Sequence, residues 1–267
     1  MNRRMLGILA SLVILSGLVG CGKAPVERVE WPVMGTVAAV QTRGATPEET
    51  ATIVREVKEN FSKVEKLLNA HDPNSELSRL ASLTEQEILR TCDPAMKPCY
   101  ELAIAWRERT HGVFNPRWRG TNTLDLGAIA KGFAVDLAAA RVPKGGYDVL
   151  LDLGGNLRAV LGDWTVGIAG SGESFELEEG QSCATSAEYY RGKHIYDGRT
   201  GLAVSNDVSS VTVVATEAMY ADLFSTIAFI FGPEESKPYL NGWHIYSAVW
   251  ILKDGRKVFW PPASWLP

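Results

Sequence analysis

Residues 215–232, "ATEAMYADLFSTIAFIFG", predict a buried helix, because most of these side chains are apolar or small and Gly232 ends the run. Three oxygen-bearing side chains interrupt the apolar pattern: Asp222, Ser225 and Thr226. Their i, i+3, i+4 spacing places them on one helix face. A carboxylate among apolar neighbours is costly unless a cation offsets its charge. The stretch therefore predicts either a metal site or a helix in which Asp222 pairs with a nearby Lys or Arg or caps a backbone.

The segments on either side of this helix predict one α+β domain over residues 31–267. A capping box formed by Thr46 and Glu49, with Pro47 at the first helical position, opens an amphipathic helix over 46–70. Two more helices are predicted, one from between Asp93 and Pro98 to Gly112 and one over 127–142. Strands are predicted over 31–42, 147–161 (broken at Gly154 and Gly155), 164–169, 209–215 and 248–260 (a hairpin around Asp254 and Gly255). Because helices and strands do not alternate regularly, we expect a single domain with a largely antiparallel mixed sheet flanked by helices.

The N-terminal residues have the pattern of a secretory leader. A short basic segment with Arg3 and Arg4 precedes an apolar run over 6–19 that is too short to span a bilayer comfortably. The run ends in "LVGC", which resembles the lipobox of bacterial lipoproteins. The resemblance implies a signal peptide over 1–20, lipidation of Cys21 and a tether over 21–30. The protein would then be lipid-anchored on the periplasmic or cell-surface side of a bacterial membrane; an uncleaved anchor or a coincidental cysteine is the alternative.

Composition excludes some classes of function. The formal charge of −4, with 46% hydrophobic and 22% charged residues, describes an ordinary globular protein without a basic patch for nucleic acid. There is no Cys-x-x-Cys pair and there are four histidines, which gives little support to a zinc or redox-thiol site. Cys92 and Cys99 form a disulfide if "CDPAMKPC" folds back as a loop, and otherwise they are free thiols.

Three further segments contain candidate functional residues. In "TLDLGAIAKGFAVD", residues 123–136, Asp125 and Lys131 lie at a predicted helix start, which suits a phosphate; a small-residue helix packed on a sheet is the alternative. No dinucleotide fingerprint or P-loop is present. In "LLDLGGNLRAV", residues 150–160, the glycines indicate either a close approach of the backbone to a ligand or a plain turn. Residues 183–201 place His194 in a polar neighbourhood that favours a catalytic or binding role over an ordinary surface role.

Together these motifs resemble one family. "MGT", "DPNSELSRL", "FNP", "LDLGAIAKGFAVD", "LDLGGNL", "ATSAEYYR…KHIYDGRTG" and "ADLFST" occur in the order found in the ApbE family of FAD:protein FMN transferases, starting at Met34. The resemblance implies an ApbE-like, T-fold-related domain. It also implies a Mg²⁺-dependent reaction that cleaves FAD, transfers FMN to a threonine hydroxyl of an extracytoplasmic acceptor protein and releases AMP.

The resemblance also implies roles for individual residues. His194 would activate the acceptor hydroxyl. Magnesium would be held by Asp222, Thr226 and the backbone carbonyl of Ala128. The residues implied to contact FAD are Met34, His71, Val113, Phe114, Asn115, Asp125, Lys131 and Ile195.

The chain departs from the family pattern at several positions. Only "RWRGTNT", residues 117–123, separates "FNP" from "LDLGAIAKG", where members usually carry a much longer segment that belongs to the flavin enclosure or to acceptor docking. Asn115 stands where aspartate is usual, Gly198 where proline is usual, and His71 where tyrosine is frequent. The alternatives to transfer are an FAD pyrophosphatase, which uses water as the acceptor, a flavin-binding lipoprotein without catalysis, and a structural lipoprotein.

Overall fold

The computed structural model describes residues 24–188 and 194–262. The predicted signal peptide and the lipidation site Cys21 lie outside these residues. Residues 26–30, predicted as part of a tether, instead belong to the first strand. Within 24–188 and 194–262, no helix combines the length and apolarity that crossing a membrane requires.

Six helices and twelve strands make up the described part of the chain. The helices are α1 (Pro47–Leu68), α2 (Glu76–Leu80), α3 (Glu85–Thr91), α4 (Lys97–Arg109), α5 (Ala130–Ala139) and α6 (Ala218–Leu240). The strands are β1 (Val26–Val33), β2 (Thr36–Arg43), β3 (Asp148–Leu153), β4 (Asn156–Leu161), β5 (Trp164–Gly167), β6 (Ser174–Leu177), β7 (Ser182–Ala187), β8 (Tyr196–Asp197), β9 (Leu202–Ala203), β10 (Val208–Ala215), β11 (Ile245–Leu252) and β12 (Lys257–Trp260).

Eight strands form one sheet in the order β1-β2-β3-β4-β7-β10-β11-β12, and every neighbouring pair is antiparallel. Two small sheets, β5-β6 and β8-β9, lie beside it. The expected α+β domain with an antiparallel sheet flanked by helices is confirmed. One strand prediction was wrong: residues 31–42 form a hairpin, in which Met34 adopts a φ of 51° and the chain reverses between Val33 and Thr36.

The sheet is covered on both faces, and this explains its apolar strands. On β3, Leu151 and Leu153 face the core formed with α1, α4, α5 and α6, whereas Leu150 faces the second core under the β5-β6 hairpin. The same alternation occurs on β11, where Trp250 and Val249 enter opposite cores. Because successive strand residues point to opposite faces, a sheet buried on both sides needs a nearly continuous apolar run.

Two helix signals were read correctly from the sequence. Thr46 caps α1 by accepting a hydrogen bond from the Glu49 N–H, and the Glu49 carboxylate accepts from the Thr46 N–H, which completes the capping box. Helix α6 is interrupted at Gly232, whose φ of 74° and ψ of 178° are not helical. The predicted end of the apolar helix at this glycine is therefore confirmed, and a shorter helical segment follows it.

The cysteines of the described chain are free thiols. Cys92 ends α3, Cys99 lies in the first turn of α4, and both are buried without a disulfide between them. Complete burial raises the pKa of the Cys99 and Cys183 thiols well above the usual range. Of the two alternatives for Cys92 and Cys99, the structure has the free thiols.

Candidate functional site

The site is organised by the crossing of α5 and α6. Gly132 on α5 lies so close to the first turn of α6 that a Cβ atom there would be 2.1 Å from the carbonyl oxygen of Ala218. Asp136, one turn further along α5, accepts hydrogen bonds from the N–H groups of Ala218 (2.9 Å) and Met219 (2.8 Å). Its carboxylate therefore caps the start of α6, whose own N-cap residue, Glu217, supplies no side-chain cap.

A second charged residue fixes this cap. The guanidinium of Arg158 on β4 lies 2.7 Å from Asp136 and also donates to the carbonyl oxygen of Thr216. Burial nevertheless raises the pKa of the Asp136 carboxyl, and Arg158 and the two helix N–H groups only partly oppose that rise. The position of α6 relative to α5 thus depends on one glycine and one buried carboxylate.

One turn into α6, this crossing brings Asp222 against the start of α5. Asp222 is 5% exposed, and its carboxylate accepts from the Gly132 N–H at 3.0 Å. The ammonium group of Lys131 lies 3.2 Å from each carboxylate oxygen and 3.1 Å from the carbonyl oxygen of Gly127. The ion pair with a nearby Lys, one alternative predicted for Asp222, is present, and the ammonium group contacts three oxygen atoms.

Hydroxyl groups adjoin this ion pair. Ser186 on β7 lies 2.9 Å from the hydroxyl of Ser225 and 3.4 Å from that of Thr226. Ser225 also donates to the backbone carbonyl of Asp222 at 2.9 Å. The expectation that Asp222, Ser225 and Thr226 share one region is therefore met, and Ser186 from the neighbouring strand joins them.

A cavity of about 470 Å³ is lined in part by the segment that leads into α5. Its wall includes His71, Asp125 and Arg119. The carboxylate of Asp125 accepts from the Gly127 N–H at 2.9 Å, and the Gly127 carbonyl in turn contacts Lys131. The cavity and the α5–α6 cluster are thus joined through three consecutive hydrogen-bonded groups.

The structure places the other predicted FAD-contacting residues in several environments. Met34 occupies the β1-β2 turn, where its N–H donates to Glu65 at 2.7 Å. Val113 and Phe114 are buried, 2% and 5% exposed, and so is Ile195 at 6%. None of these four lines the cavity, so their predicted contacts with FAD stay predictions.

Two departures from the family pattern, Asn115 and Gly198, meet in space. The Asn115 amide donates to the carbonyl oxygen of Gly198 at 3.4 Å, and the Gly198 N–H donates to the Val113 carbonyl at 2.8 Å. A Cβ atom on Gly198 would lie 2.3 Å from the Cβ of Asn115. A proline at 198 would lose the N–H donor and collide with the Cβ atom of residue 115, so this close approach requires glycine at 198. His194, four residues earlier, is exposed and directly follows residues 189–193, which lie outside the described chain.

The donor set suits a divalent cation that completes its shell with a substrate. No group of three or more His, Cys, Asp or Glu side chains forms a metal site in the described chain. Magnesium, however, is typically bound through one or two carboxylates together with substrate phosphates. Asp222, Thr226 and the carbonyl of Ala128 are groups of the right type, and the Lys131 ammonium already acts as a cation on the same carboxylate.

Sequence reasoning missed several residues that build the site. It did not single out Asp136 or Arg158, because their pairing joins segments far apart in the chain. It also passed over Trp118 and Arg119, whose signal was an aromatic residue between two arginines in "RWRG".

The chain is similar to proteins of known activity. A model described as the ApbE family matches residues 34–122 and 117–250. An FAD:protein FMN transferase of Klebsiella pneumoniae is 34% identical over 49% of this chain and 46% of its own length. An FAD:protein FMN transferase of Treponema pallidum is 34% identical over 50% of this chain and 44% of its own. In these alignments the chain spans about half the length of the curated relatives it matches.

Solved structures show a similar fold. The apo form of the flavinyl transferase ApbE from Pseudomonas stutzeri superposes with a TM-score of 0.72, at 20% identity, over 90% of this chain and 96% of that one. At that level of identity the likeness shows the fold alone.

Proposed function

We propose that this chain, which belongs to the ApbE family, transfers FMN from FAD to a hydroxyl group of an acceptor protein and releases AMP. One observation carries the proposal: the α5–α6 crossing gathers a carboxylate, an ammonium group, a backbone carbonyl and three hydroxyl groups, and it is linked through Asp125 to a cavity. Such groups bind a diphosphate together with a cation. The names of the relatives in Klebsiella pneumoniae and Treponema pallidum support the same activity.

The cavity beside Asp125 is the proposed position of the flavin half of FAD. Its volume of about 470 Å³ lies within the range of about 300–1,000 Å³ that is common for ligand pockets. Lys131, at the first turn of α5, is the proposed contact for a phosphate, because a helix N-terminus and an ammonium group both favour an anion. The diphosphate would then lie at the α5–α6 crossing.

Asp222, Thr226 and the Ala128 carbonyl are the groups proposed to hold Mg²⁺. When bound there, the ion neutralises charge on phosphate oxygens. Lys131 and such an ion both need the Asp222 carboxylate. We therefore expect Lys131 to turn from Asp222 towards the phosphates when substrate and cation are present.

The transfer itself forms one bond and breaks one. The hydroxyl oxygen of the acceptor, proposed to be a threonine, attacks the phosphorus atom of the FMN half. The bond from that phosphorus to the bridging oxygen breaks, and AMP leaves with the oxygen. The imidazole of His194 accepts the hydroxyl proton, since an imidazole nitrogen can act as a general base and the exposed position of His194 is open to a protein acceptor.

The proposed setting is the outer face of a bacterial membrane. The lipobox-like "LVGC" supports a lipid anchor at Cys21, and that location implies an extracytoplasmic acceptor, such as a flavinylated subunit of an electron-transfer complex.

The activity is tested with the full-length protein in detergent. FAD, Mg²⁺ and a threonine-containing flavin-acceptor domain are added, AMP is quantified by chromatography, and covalent flavin is detected by in-gel fluorescence. We expect Asp222→Asn to lower both products by at least about 100-fold, a loss of the size seen when one electrostatic group of an active site is removed. Asp254→Asn, at an exposed ion pair in the β11-β12 turn, is the matched control and should behave as wild type.

Each of the other outcomes indicates a different function. AMP without labelled acceptor indicates an FAD pyrophosphatase, and bound but intact FAD indicates a flavin-binding protein without catalysis. Full activity in Asp222→Asn would remove the α5–α6 cluster from the reaction. His194→Ala should slow transfer more than it weakens FAD binding, and equal effects on both would move His194 from catalysis to binding.

A further inference from the structure

The short loop over residues 116–124 forms part of the cavity wall and is firmly anchored. The guanidinium of Arg117 donates to the carbonyl oxygens of Leu83 and Thr123, at 2.7 and 3.2 Å, and to those of Ala81 and Thr121. At its base, the Asp125 N–H donates to the Pro116 carbonyl at 2.7 Å. The anchoring of Arg117 fixes the positions of the two residues that follow it.

The first of these residues is Trp118, whose indole ring is held in place by two contacts. Its indole ring stacks on Tyr196, with ring centroids 3.9 Å apart and an interplanar angle of 12°. The indole N–H donates to the Asp125 carboxylate at 3.3 Å, and this hydrogen bond keeps the ring from rotating within its plane. The stack joins the short loop to the "KHIYDG" segment that contains His194.

The second residue, Arg119, covers the other face of the indole. Its guanidinium carbon lies 4.5 Å from the Trp118 ring centroid, and because Tyr196 occupies one face, the guanidinium lies over the opposite one. Arg119 also lies 3.5 Å from the Asp125 carboxylate, and 42% of its side chain is exposed. Exposed ion pairs and exposed cation–π contacts are both weak, so Arg119 is easily displaced.

Arg119 lines the same cavity as His71 and Asp125. Trp118 itself does not line the cavity, but the guanidinium that covers its indole does, so a ligand that displaced Arg119 would uncover the indole face. Stacking of a planar heterocycle on an aromatic side chain is a common means of binding nucleotides, and a guanidinium binds phosphate oxygens in a bidentate manner.

We propose that Trp118 is the stacking platform for the isoalloxazine ring and that Arg119 exchanges its place on the indole for a phosphate of the flavin nucleotide. This inference rests on the proposed flavin nucleotide substrate. It favours the isoalloxazine over the adenine ring because the indole is electron-rich and the isoalloxazine is electron-poor and larger.

Titrations of the full-length protein with FMN, riboflavin and ADP test the assignment, followed by the fluorescence of the flavin or by calorimetry. In wild type we expect bound FMN to be strongly quenched by the stacked indole. Trp118→Leu should lose that quenching and bind FMN about 10- to 100-fold more weakly, the factor expected for one lost stacked ring. Its affinity for ADP should be unchanged.

Matched variants separate stacking from folding. Trp31→Leu removes another partly buried indole that carries a cation, Lys58, at 5.0 Å from its ring, and it should bind FMN as wild type does. Trp118→Phe should recover part of the FMN affinity. Melting temperatures show whether each variant is folded.

Arg119→Ala should change the affinities for FMN and for riboflavin in opposite directions. FMN should bind more weakly because its phosphate loses the guanidinium, whereas riboflavin, which has no phosphate, should bind more tightly because the indole is already free. Equal effects on the two ligands would contradict the exchange.

The outcomes distinguish this inference from the proposed function. If Trp118→Leu binds and quenches FMN as Trp31→Leu does while wild type still releases AMP from FAD, only the platform is wrong. If Trp118→Leu weakens ADP binding but not FMN binding, the adenine ring stacks on the indole and the isoalloxazine assignment is wrong. If wild type binds no flavin nucleotide, both the proposed function and the stacking role of Trp118 are wrong.

Discussion

The α5–α6 crossing and the short loop each contain an Arg–Asp pair, but the two pairs are built differently. Arg158 and Asp136 are 2.7 Å apart, and Asp136 also accepts two helix N–H groups. Arg119 and Asp125 are 3.5 Å apart at an exposed position. The first pair fixes the position of a helix, and the second is weak enough for a ligand to replace. The comparison contrasts a helix crossing held by several short contacts with a loop whose Arg119 side chain is easily displaced.

The largest loss of stability is expected from a substitution at Gly132, where α5 and α6 cross. Gly132→Ala places a methyl group on the Ala218 carbonyl, and we expect unfolding free energy to fall by about 3 kcal/mol, the upper part of the usual range for overpacking. Denaturant titration measures this. Gly146→Ala is the control, because its added Cβ has no atom within 4 Å and should change stability by less than about 0.5 kcal/mol. Equal effects would mean that α5 and α6 do not touch at Gly132.

Asp136→Asn tests the cap that holds α6. We expect the free energy of unfolding to fall by about 2 kcal/mol, because one acceptor of the helix N–H groups disappears and Arg158 loses its charged partner. The measurement is again the free energy of unfolding.

The same variant tests how the contribution of Asp136 to stability changes with pH. Burial raises the pKa of Asp136 above its ordinary value of 3.8, so the folded state binds this proton more readily than the unfolded state does. The contribution of Asp136 to stability is therefore largest at low pH and declines as pH rises from 3.8 through the folded pKa. The difference in stability between wild type and Asp136→Asn should follow that decline, and a difference that grows over the same interval would contradict it.

Lys131→Met tests the competition for Asp222. If the ammonium and a divalent cation need the same carboxylate, the variant should bind Mn²⁺ or Mg²⁺ about tenfold more tightly, which corresponds to roughly 1.4 kcal/mol. It should bind FAD more weakly, because a phosphate contact is lost. Electron paramagnetic resonance of Mn²⁺ gives the first value and flavin fluorescence the second. Weaker metal binding would show that Lys131 does not compete with the ion.

The smallest change is expected at the loop. Arg119→Ala should alter the free energy of unfolding by less than about 0.5 kcal/mol, because the ion pair that it removes is long and exposed. A loss close to that of Asp136→Asn would abolish the contrast between the two regions.

Much of the fold follows from local sequence signals. The capping box of α1, the glycine turn between β3 and β4 and the apolar run of α6 are each encoded within a few neighbouring residues. The β1-β2 hairpin was missed because its turn puts Met34, a residue other than glycine, at a φ of 51°. Such a conformation is rare for a residue other than glycine, and the turn signal that the run does contain, Gly35 with a φ of 65°, was not used.

The site was only partly predictable for a related reason. Asp222, Ser225 and Thr226 lie on one helix, so their spacing placed them together. Their cation comes from Lys131, ninety-one positions away along the chain, and their additional hydroxyl comes from Ser186 on another strand. Those contacts depend on the close approach at Gly132, which the helix pattern of α5 alone does not specify.

Calorimetry of Mg²⁺ binding in the presence of FAD tests the central claim most directly, because that claim places the diphosphate and the ion together at Asp222. The account predicts that wild type and Asp254→Asn take up Mg²⁺ in an FAD-dependent manner and that Asp222→Asn does not. FAD-dependent uptake of Mg²⁺ by Asp222→Asn with wild-type affinity would contradict it.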